Sequence, residues 1–197
     1  ETTSGFAHTD IVVDGVAGTY TESLVFSDEG THTVLYARTD IAGNREATRT
    51  AYVYIDDSAP VSSDDAPDEW VGSPVTVTLS ALDTYSGVAS THYSLNGSEP
   101  ATGTSVAVSA EGTNTIQYYS IDTVGNREAT RTVEVRIDDT APASSDDAPT
   151  GWVTHPVLVT LTPADALSGV SALLYSTDGT EPSVPYTNPI AVASEGT

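Results

Sequence analysis

The chain has 197 residues, a formal net charge of −22, no cysteine and six positive side chains, all of them arginine. A phosphate backbone or an anionic membrane surface needs a basic partner, so nucleic acid and acidic lipid are excluded as ligands. The missing cysteine removes disulfides, thiolate metal sites and thiol catalysis together. The longest apolar stretches are strand-sized and no signal peptide is visible, so no transmembrane helix is expected. The chain opens on Glu1, as an excised piece of something longer would.

In chain order, the first signals are Ser4-Gly5-Phe6, the Asp14-Gly15 turn, the apolar pair Leu24 and Phe26, and the turn Glu29-Gly30-Thr31. Alternating Val34 and Tyr36, the segment DIAGNREATRT from Asp40, and alternating Ala51, Val53 and Ile55 follow. Each returns 82 residues later: Ser86-Gly87-Val88, Asn96-Gly97, Val106 and Val108, Glu111-Gly112-Thr113, Ile116 and Tyr118, DTVGNREATRT from Asp122, and Val133, Val135 and Ile137. Between the copies, IDDSAPVSSDDAPDEW from Ile55 is rewritten as IDDTAPASSDDAPTGW from Ile137, again 82 residues on. A third copy begins there and reaches Ile190 and Val192. Its SEGT at Ser194 falls 84 residues after the AEGT at Ala110, which places a two-residue insertion in the Pro-rich stretch between Tyr175 and Glu195. The chain is about two and a half copies of one unit.

Within a unit the apolar period is two: Val75, Val77 and Leu79 alternate with Thr76, Thr78 and Ser80, the pattern of a strand with one buried face. Turn chemistry separates the runs. From Pro60 the pattern predicts seven strands, at 60–64, 74–81, 88–95, about 100–102, 104–109, 113–120 and 130–137, and no helix. Seven short strands with turns every eight to twelve residues predict an all-β fold of tandem immunoglobulin- or fibronectin III-like sandwiches in a linear array. The expected divisions are 1–57, the later part of one unit; 58–139, a complete unit; and 140–197, the earlier part of a third.

Tyr93 to Pro100 (YSLNGSEP) and Tyr175 to Pro182 (YSTDGTEP) resemble the Y-S-x-D-G-x-x-P hairpin of chitobiase C-terminal-type modules. Glu111 to Glu128 (EGTNTIQYYSIDTVGNRE) is similar to the signature of bacterial surface Ig-like repeats. The first unit departs from the hairpin pattern, having VVDGVAGT from Val12 without the Tyr-Ser and the proline. The resemblance implies an extracellular or cell-surface setting. Such modules occur in adhesins, in stalks and in polysaccharide-degrading enzymes.

No catalytic constellation is expected. His8, His32, His92 and His155 occupy four different repeat positions, so they read as isolated surface residues and the chain as a non-enzyme. Trp70 and Trp152 share one position, either as a cover over the bottom of the core or as an exposed sugar platform. Arg45 and Arg49, repeated as Arg127 and Arg131, pair with the unit's own acids or clamp a partner's carboxylate. Asn96 opens an N-glycosylation sequon on a turn. With no lysine, Lys–Asn isopeptide crosslinks cannot form. Gln117 is the only glutamine, so a repeated Thr–Gln ester is excluded as well, and rigidity must come from packing or bound ions.

The doubled acidic stretch carries a metal expectation. Asp56 and Asp57 should meet Asp83 and Asp122 at one pole of the complete unit. Asp64, Asp65 and Asp68, with Glu111, should face Asp138, Asp139 and Asp165 at the other. Carboxylates from sequence-distant loops suit Ca²⁺; the alternative is that they cap turns. The expected role is a structural repeat region of a secreted or surface protein, as a stalk, filament or surface-layer element. Its partners would be neighbouring repeats, further copies or cell-surface glycans. The alternative role is an accessory carbohydrate-binding region of a secreted polysaccharide hydrolase.

Overall fold

The computed structural model describes residues 5–154 and 156–193. Among them every regular element is a strand and no helix occurs. Ser4, His155 and the Ser194–Thr197 turn lie outside the described residues.

The first unit contributes β1 (Phe6–Val13), β2 (Val16–Thr19), β3 (Gly30–Asp40) and β4 (Arg49–Ile55). They form one antiparallel sheet in the order β2-β1-β3-β4. The second unit contributes β5 (Val61–Asp64), β6 (Val75–Leu82), β7 (Val88–Leu95), β8 (Ala101–Thr102), β9 (Ser105–Val108), β10 (Gly112–Asp122) and β11 (Arg131–Ile137). These make two sheets, β5-β6-β9 and β11-β10-β7-β8. Three strands facing four, with the chain crossing between sheets after β6, β8 and β9, is the immunoglobulin/fibronectin III-like sandwich the turn spacing predicts. The third unit contributes β12 (Ala143–Asp146), β13 (Val157–Val159), β14 (Leu161–Ala164), β15 (Leu174–Tyr175), β16 (Val184–Pro185) and β17 (Ile190–Val192).

The core of the complete unit follows from its period-two pattern. Val77, Leu79, Val106 and Val108 from one sheet meet Ile116, Tyr118, Val135 and Ile137 from the other, and none is more than 2% exposed. Each such side chain contributes about 1.5–3 kcal/mol by leaving water. A Leu79→Ala truncation would cost about 2–5 kcal/mol. Register is fixed by pairs such as Val77↔Val106 and Tyr118↔Tyr93, since a one-residue slip would turn every apolar set outward. The β7–β8 hairpin turns at Asn96 and Gly97, with φ of 51° and 76°. Both angles lie in the left-handed region that a tight type I′ turn demands and that Asn-Gly tolerates best.

In the outer units some strands are shorter than the sequence pattern predicts, and the strands that would pair with them are not among the described residues. Leu24 and Phe26, counterparts of β9, lie in no strand, because the first unit has no described counterpart of β6 to pair with. β15 keeps only two residues of the eight in β7, because β7 is held mainly by β10 and the third unit has no described counterpart of β10. β6 pairs with β9 through its first half and with β5 through its second. β13 and β14 are those same two halves, pairing with β17 and β12.

Candidate functional site at the joints between repeats

The repeated motifs converge on the linker between units. Glu29, of the first Glu-Gly-Thr turn, accepts the N–H of Asp57 at 2.9 Å and the hydroxyl of Ser58 at 2.6 Å. The Asp56 carboxylate accepts the Ser58 N–H at 3.1 Å and, across the joint, the Ser86 N–H at 2.9 Å. The next joint repeats this with its own residues. Glu111 accepts the Thr140 hydroxyl at 2.5 Å, and Asp138 accepts the N–H of Thr140 at 3.2 Å and of Ser168 at 2.8 Å. The Ser-Gly turn is closed by Asp83, which takes the N–H groups of Tyr85 and Gly87 at 3.2 and 2.7 Å. Asp165 does the same for Leu167 and Gly169 at 3.1 and 2.7 Å.

The Asp-x-x-Gly-Asn-x-Glu segment adds three separate jobs. Asp122 accepts the N–H groups of Val124, Gly125 and Asn126 at 3.0, 2.6 and 2.8 Å, closing a tight turn. Asn126 then donates its side-chain amide to the carbonyls of Asp56 at 3.0 Å and Ser58 at 3.3 Å, gripping the incoming linker. Glu128, 8% exposed, accepts the Ser62 hydroxyl, the Ser62 N–H at 3.1 Å and the Ser120 N–H at 2.8 Å, so it locks β5 to β10. Tyr118 donates its hydroxyl to Asp64 at 2.5 Å. Burial first, then that carboxylate, raises the Tyr118 pKa to about 12.

Among the described residues, one group of three carboxylates offers oxygens within 4.8 Å of one another: Asp56, Asp83 and Asp122. Asp122 is 2% exposed. Burial pushes its pKa up, but the Asn126 side chain and the N–H groups of Asn126, Gly125 and Val124 outweigh that and hold it below the usual range. At the second joint, the Ser168 hydrogen bonds lower the pKa of Asp138, with a smaller contribution from the Asp165 side chain. Asp139 is raised, first by its hydrogen bond to Glu111 and then by that residue's charge. Like charges at about 4 Å repel by about 4 kcal/mol per pair at an effective dielectric of 20, and the N–H donors around Asp122 act against that repulsion.

The remaining candidate residues are placed as follows. Asp57 is exposed, and its backbone N–H donates to Glu29. Asp64 caps Ala66 at 3.1 Å besides accepting from Tyr118, and Asp65 takes the Thr78 N–H at 2.5 Å. Asp64 ends β5 and Asp65 follows it, and among the described residues neither shares a ligand group with Asp138, Asp139 and Asp165. Asp68 offers its carbonyl to Arg136. The Asn96 side chain is engaged, donating to Asn114 at 2.9 Å and accepting the Thr115 N–H at 2.8 Å.

The arginines pair locally: Arg131 with Glu128 at 3.3 Å, Arg49 with Glu46 at 3.7 Å, and Arg45 with Asp10 at 3.5 Å. Arg127 lies over the Tyr119 ring, 3.7 Å from its centre. Three histidines are not isolated, and His8 Nε2 lies 3.2 Å from the Asp10 carboxylate. His32 bonds Asp14 and the Asp28 carbonyl, each at 2.8 Å, and His92 stacks on Tyr119. The two tryptophans differ in exposure. Trp70 is half-buried and Trp152 is 94% exposed. In the complete unit the residue after Trp70, Val71, bridges to Ile137 of β11, and no described strand plays that part beside Trp152.

Sequence reasoning found the carboxylates but not Asn126, Ser86, Glu29 or Glu128 as joint and core partners. Their signal was recurrence of non-acidic motif residues at the unit period. No protein-family model matches the chain, and no curated protein sequence is similar to it. Among solved structures, the fibronectin(III)-like modules of Clostridium thermocellum CbhA are similar over 70% of this chain and 82% of theirs, at 12% identity and a TM-score of 0.34. That superposition is loose, and the fold rests on the strand order itself.

Proposed function

We propose that the chain is a structural, non-catalytic repeat region of a secreted or surface protein, whose units stack into a stalk, filament or surface-layer element. The carrying observation is that both joints use the same hydrogen bonds from equivalent residues, Asp56 to Ser86 and Asp138 to Ser168, at 2.9 and 2.8 Å. Bonds from each unit to the linker and to its neighbour's turn restrict swivelling, which a rod requires.

Ca²⁺ belongs to the same proposal. Asp56, Asp83 and Asp122 provide three hard oxygen donors of the six to eight that Ca²⁺ takes, and water would supply others. One cation there would offset the mutual repulsion and stiffen the joint. Small-angle X-ray scattering of the full chain, with Ca²⁺ and with EDTA, tests both parts. The expected result is an extended particle whose maximum dimension and melting temperature rise with Ca²⁺. A flexible-chain profile in both buffers overturns the rod; an extended profile indifferent to Ca²⁺ overturns the cation alone.

A second reading, carbohydrate binding, is favoured by exposed aromatics. Tyr52 and Tyr54 project from the outer face of β4, 58% and 74% exposed, with ring centres 6.3 Å apart and planes inclined by 26°. Polysaccharide affinity lost on Tyr54→Ala would favour an accessory region of a polysaccharide hydrolase.

A further inference from the structure

The hairpin between β7 and β8 turns on the one Asn-Gly pair in the chain. Asn44 and Asn126 precede arginine, Asn114 precedes threonine and Asn188 precedes proline, whereas Asn96 precedes Gly97. Glycine has no side chain to screen its backbone nitrogen. Gly97 is exposed, and no atom beyond its chain neighbours lies within 4 Å of where a Cβ would stand. Its nitrogen is therefore sterically open beside the Asn96 side-chain amide.

That amide is held at both ends. Asn96 Oδ1 accepts the Thr115 N–H at 2.8 Å, and Asn96 Nδ2 donates to Asn114 Oδ1 at 2.9 Å. Asn114 is 1% exposed, and its own Nδ2 donates to the carbonyls of Ala110 at 2.7 Å and Gly112 at 3.2 Å. Those two acceptors fix the orientation of the Asn114 amide, because turning it over would set its oxygen against both and leave them unpaired. Asn114 Oδ1 thus faces Asn96 and requires a donor there. An ionised carboxylate has none.

The first unit makes the same contact with the opposite polarity. Asp14 and His32 are the counterparts of Asn96 and Asn114, and Asp28 is that of Ala110. Asp14 accepts the Thr33 N–H at 2.8 Å, as Asn96 accepts that of Thr115. His32 Nδ1 lies 2.8 Å from Asp14 Oδ2, and its Nε2 lies 2.8 Å from the Asp28 carbonyl. Both ring nitrogens face acceptors, so the protonated ring donates from both. Where the turn residue is an acid its partner donates; where it is an amide its partner accepts.

We propose that Asn96 is a site of spontaneous deamidation, reached when its clamp opens, and that Asn114 rejects the product. The Gly97 nitrogen attacks Asn96 Cγ and a C–N bond forms. The Cγ–Nδ2 bond breaks, and ammonia leaves with the proton that Gly97 gives up. Solvent water then cleaves one of the two C–N bonds of the five-membered imide, its oxygen going to carbon and a proton to nitrogen. Cleavage at Cγ leaves aspartate, and cleavage at the backbone carbonyl leaves isoaspartate. Either way a carboxylate replaces the donor to Asn114, and the turn no longer closes against β10.

Peptide mapping by mass spectrometry follows the full chain in mildly alkaline buffer, native and in urea, beside three variants. The mass gain of deamidation should appear at Asn96 well before the other four asparagines, and more slowly in the native chain than in urea. Asn114→Ala should speed it about fivefold, the factor that one typical hydrogen bond is worth. Asn96→Asp, the product made directly, should lower the melting temperature of the complete unit by at least about 4 °C. Adding Asn114→His should recover most of that loss, and only at a pH low enough to protonate the histidine. The urea comparison and Asn96→Asp decide the matter if Asn114→Ala does not fold. An equal rate at another asparagine, equal native and urea rates, an Asn96→Asp variant as stable as the parent, or a double variant no more stable than Asn96→Asp would each overturn the proposal. None of these readings depends on the rod or the cation.

Discussion

Glu128 and its counterpart Glu46 show how one residue type acquires different weight from its surroundings. Glu128 is buried with Ser62, Ser120 and Arg131 around it, whereas Glu46 accepts from the Arg38 N–H at an open edge. Glu128→Ala should cost about 1–3 kcal/mol, since it strands buried donors. Glu46→Ala should cost no more than about 1 kcal/mol. Urea denaturation followed by hydrogen exchange, unit by unit, separates the two, and equal losses would contradict the structure. His32 and Asp14 give a pH signature in the first unit. The Asp28 carbonyl and then Asp14 raise the His32 pKa, while His32 and the Thr33 N–H lower that of Asp14. The histidine's contribution is therefore complete below its ordinary value of 6.5 and is lost as pH rises through its folded value. The aspartate's is present above its ordinary 3.8 and is lost as pH falls through its folded value. Protection of the Thr33 amide, which donates to Asp14, should peak between those limits; a flat profile would show that the pair does not hold the turn.

At the scale of elements, the strands of the complete unit were legible in the sequence, and their order was not needed to find them. Alternation at Val75, Val77 and Leu79 marks β6, and Asn96-Gly97 marks the hairpin, because both signals are local. What stayed hidden depends on which strand lies next to which. Ser62 and Glu128 are 66 residues apart, so only the docking of β5 against β10 could reveal the pair. The convergence of Asp56, Asp83 and Asp122 was readable, since repeat phase places all three at one pole. Asp64 and Asp65 are each held by a nearby N–H group of their own unit, a contact that only the fold of the chain at β5 and β6 reveals. The two tryptophans share a repeat position but differ in exposure, since Val71 has β11 beside it and no described strand lies beside Val153. Trp152→Ala should thus shift stability by no more than about 0.5 kcal/mol, while Trp70→Ala should cost about 1–3 kcal/mol. Thermal melts of the two variants compare them directly, and a larger loss from Trp152 would reverse the assignment.

For the whole molecule, shape depends on a handful of groups at each joint. Asn126→Ala removes the grip on Asp56 and Ser58 and one donor to the buried Asp122 carboxylate, so the scattering-derived maximum dimension should fall, and the melting temperature of the complete unit should fall with it. An unchanged dimension would mean that the other linker bonds suffice. Acid should loosen both joints. Asp122 and Asp138 have lowered pKa values, so their contributions persist above the ordinary carboxylate value and disappear as pH falls through their folded values.

Each joint draws residues from both neighbours, yet always from the same repeat positions: Glu29 or Glu111, Asp56 or Asp138, Ser86 or Ser168. A gene that gained or lost one whole 82-residue block, wherever the cut fell, would therefore rebuild every junction from the same parts. Unequal recombination between copies could lengthen or shorten the polypeptide without inventing a new contact, whereas an insertion out of phase would leave a linker with no matching turn to receive it.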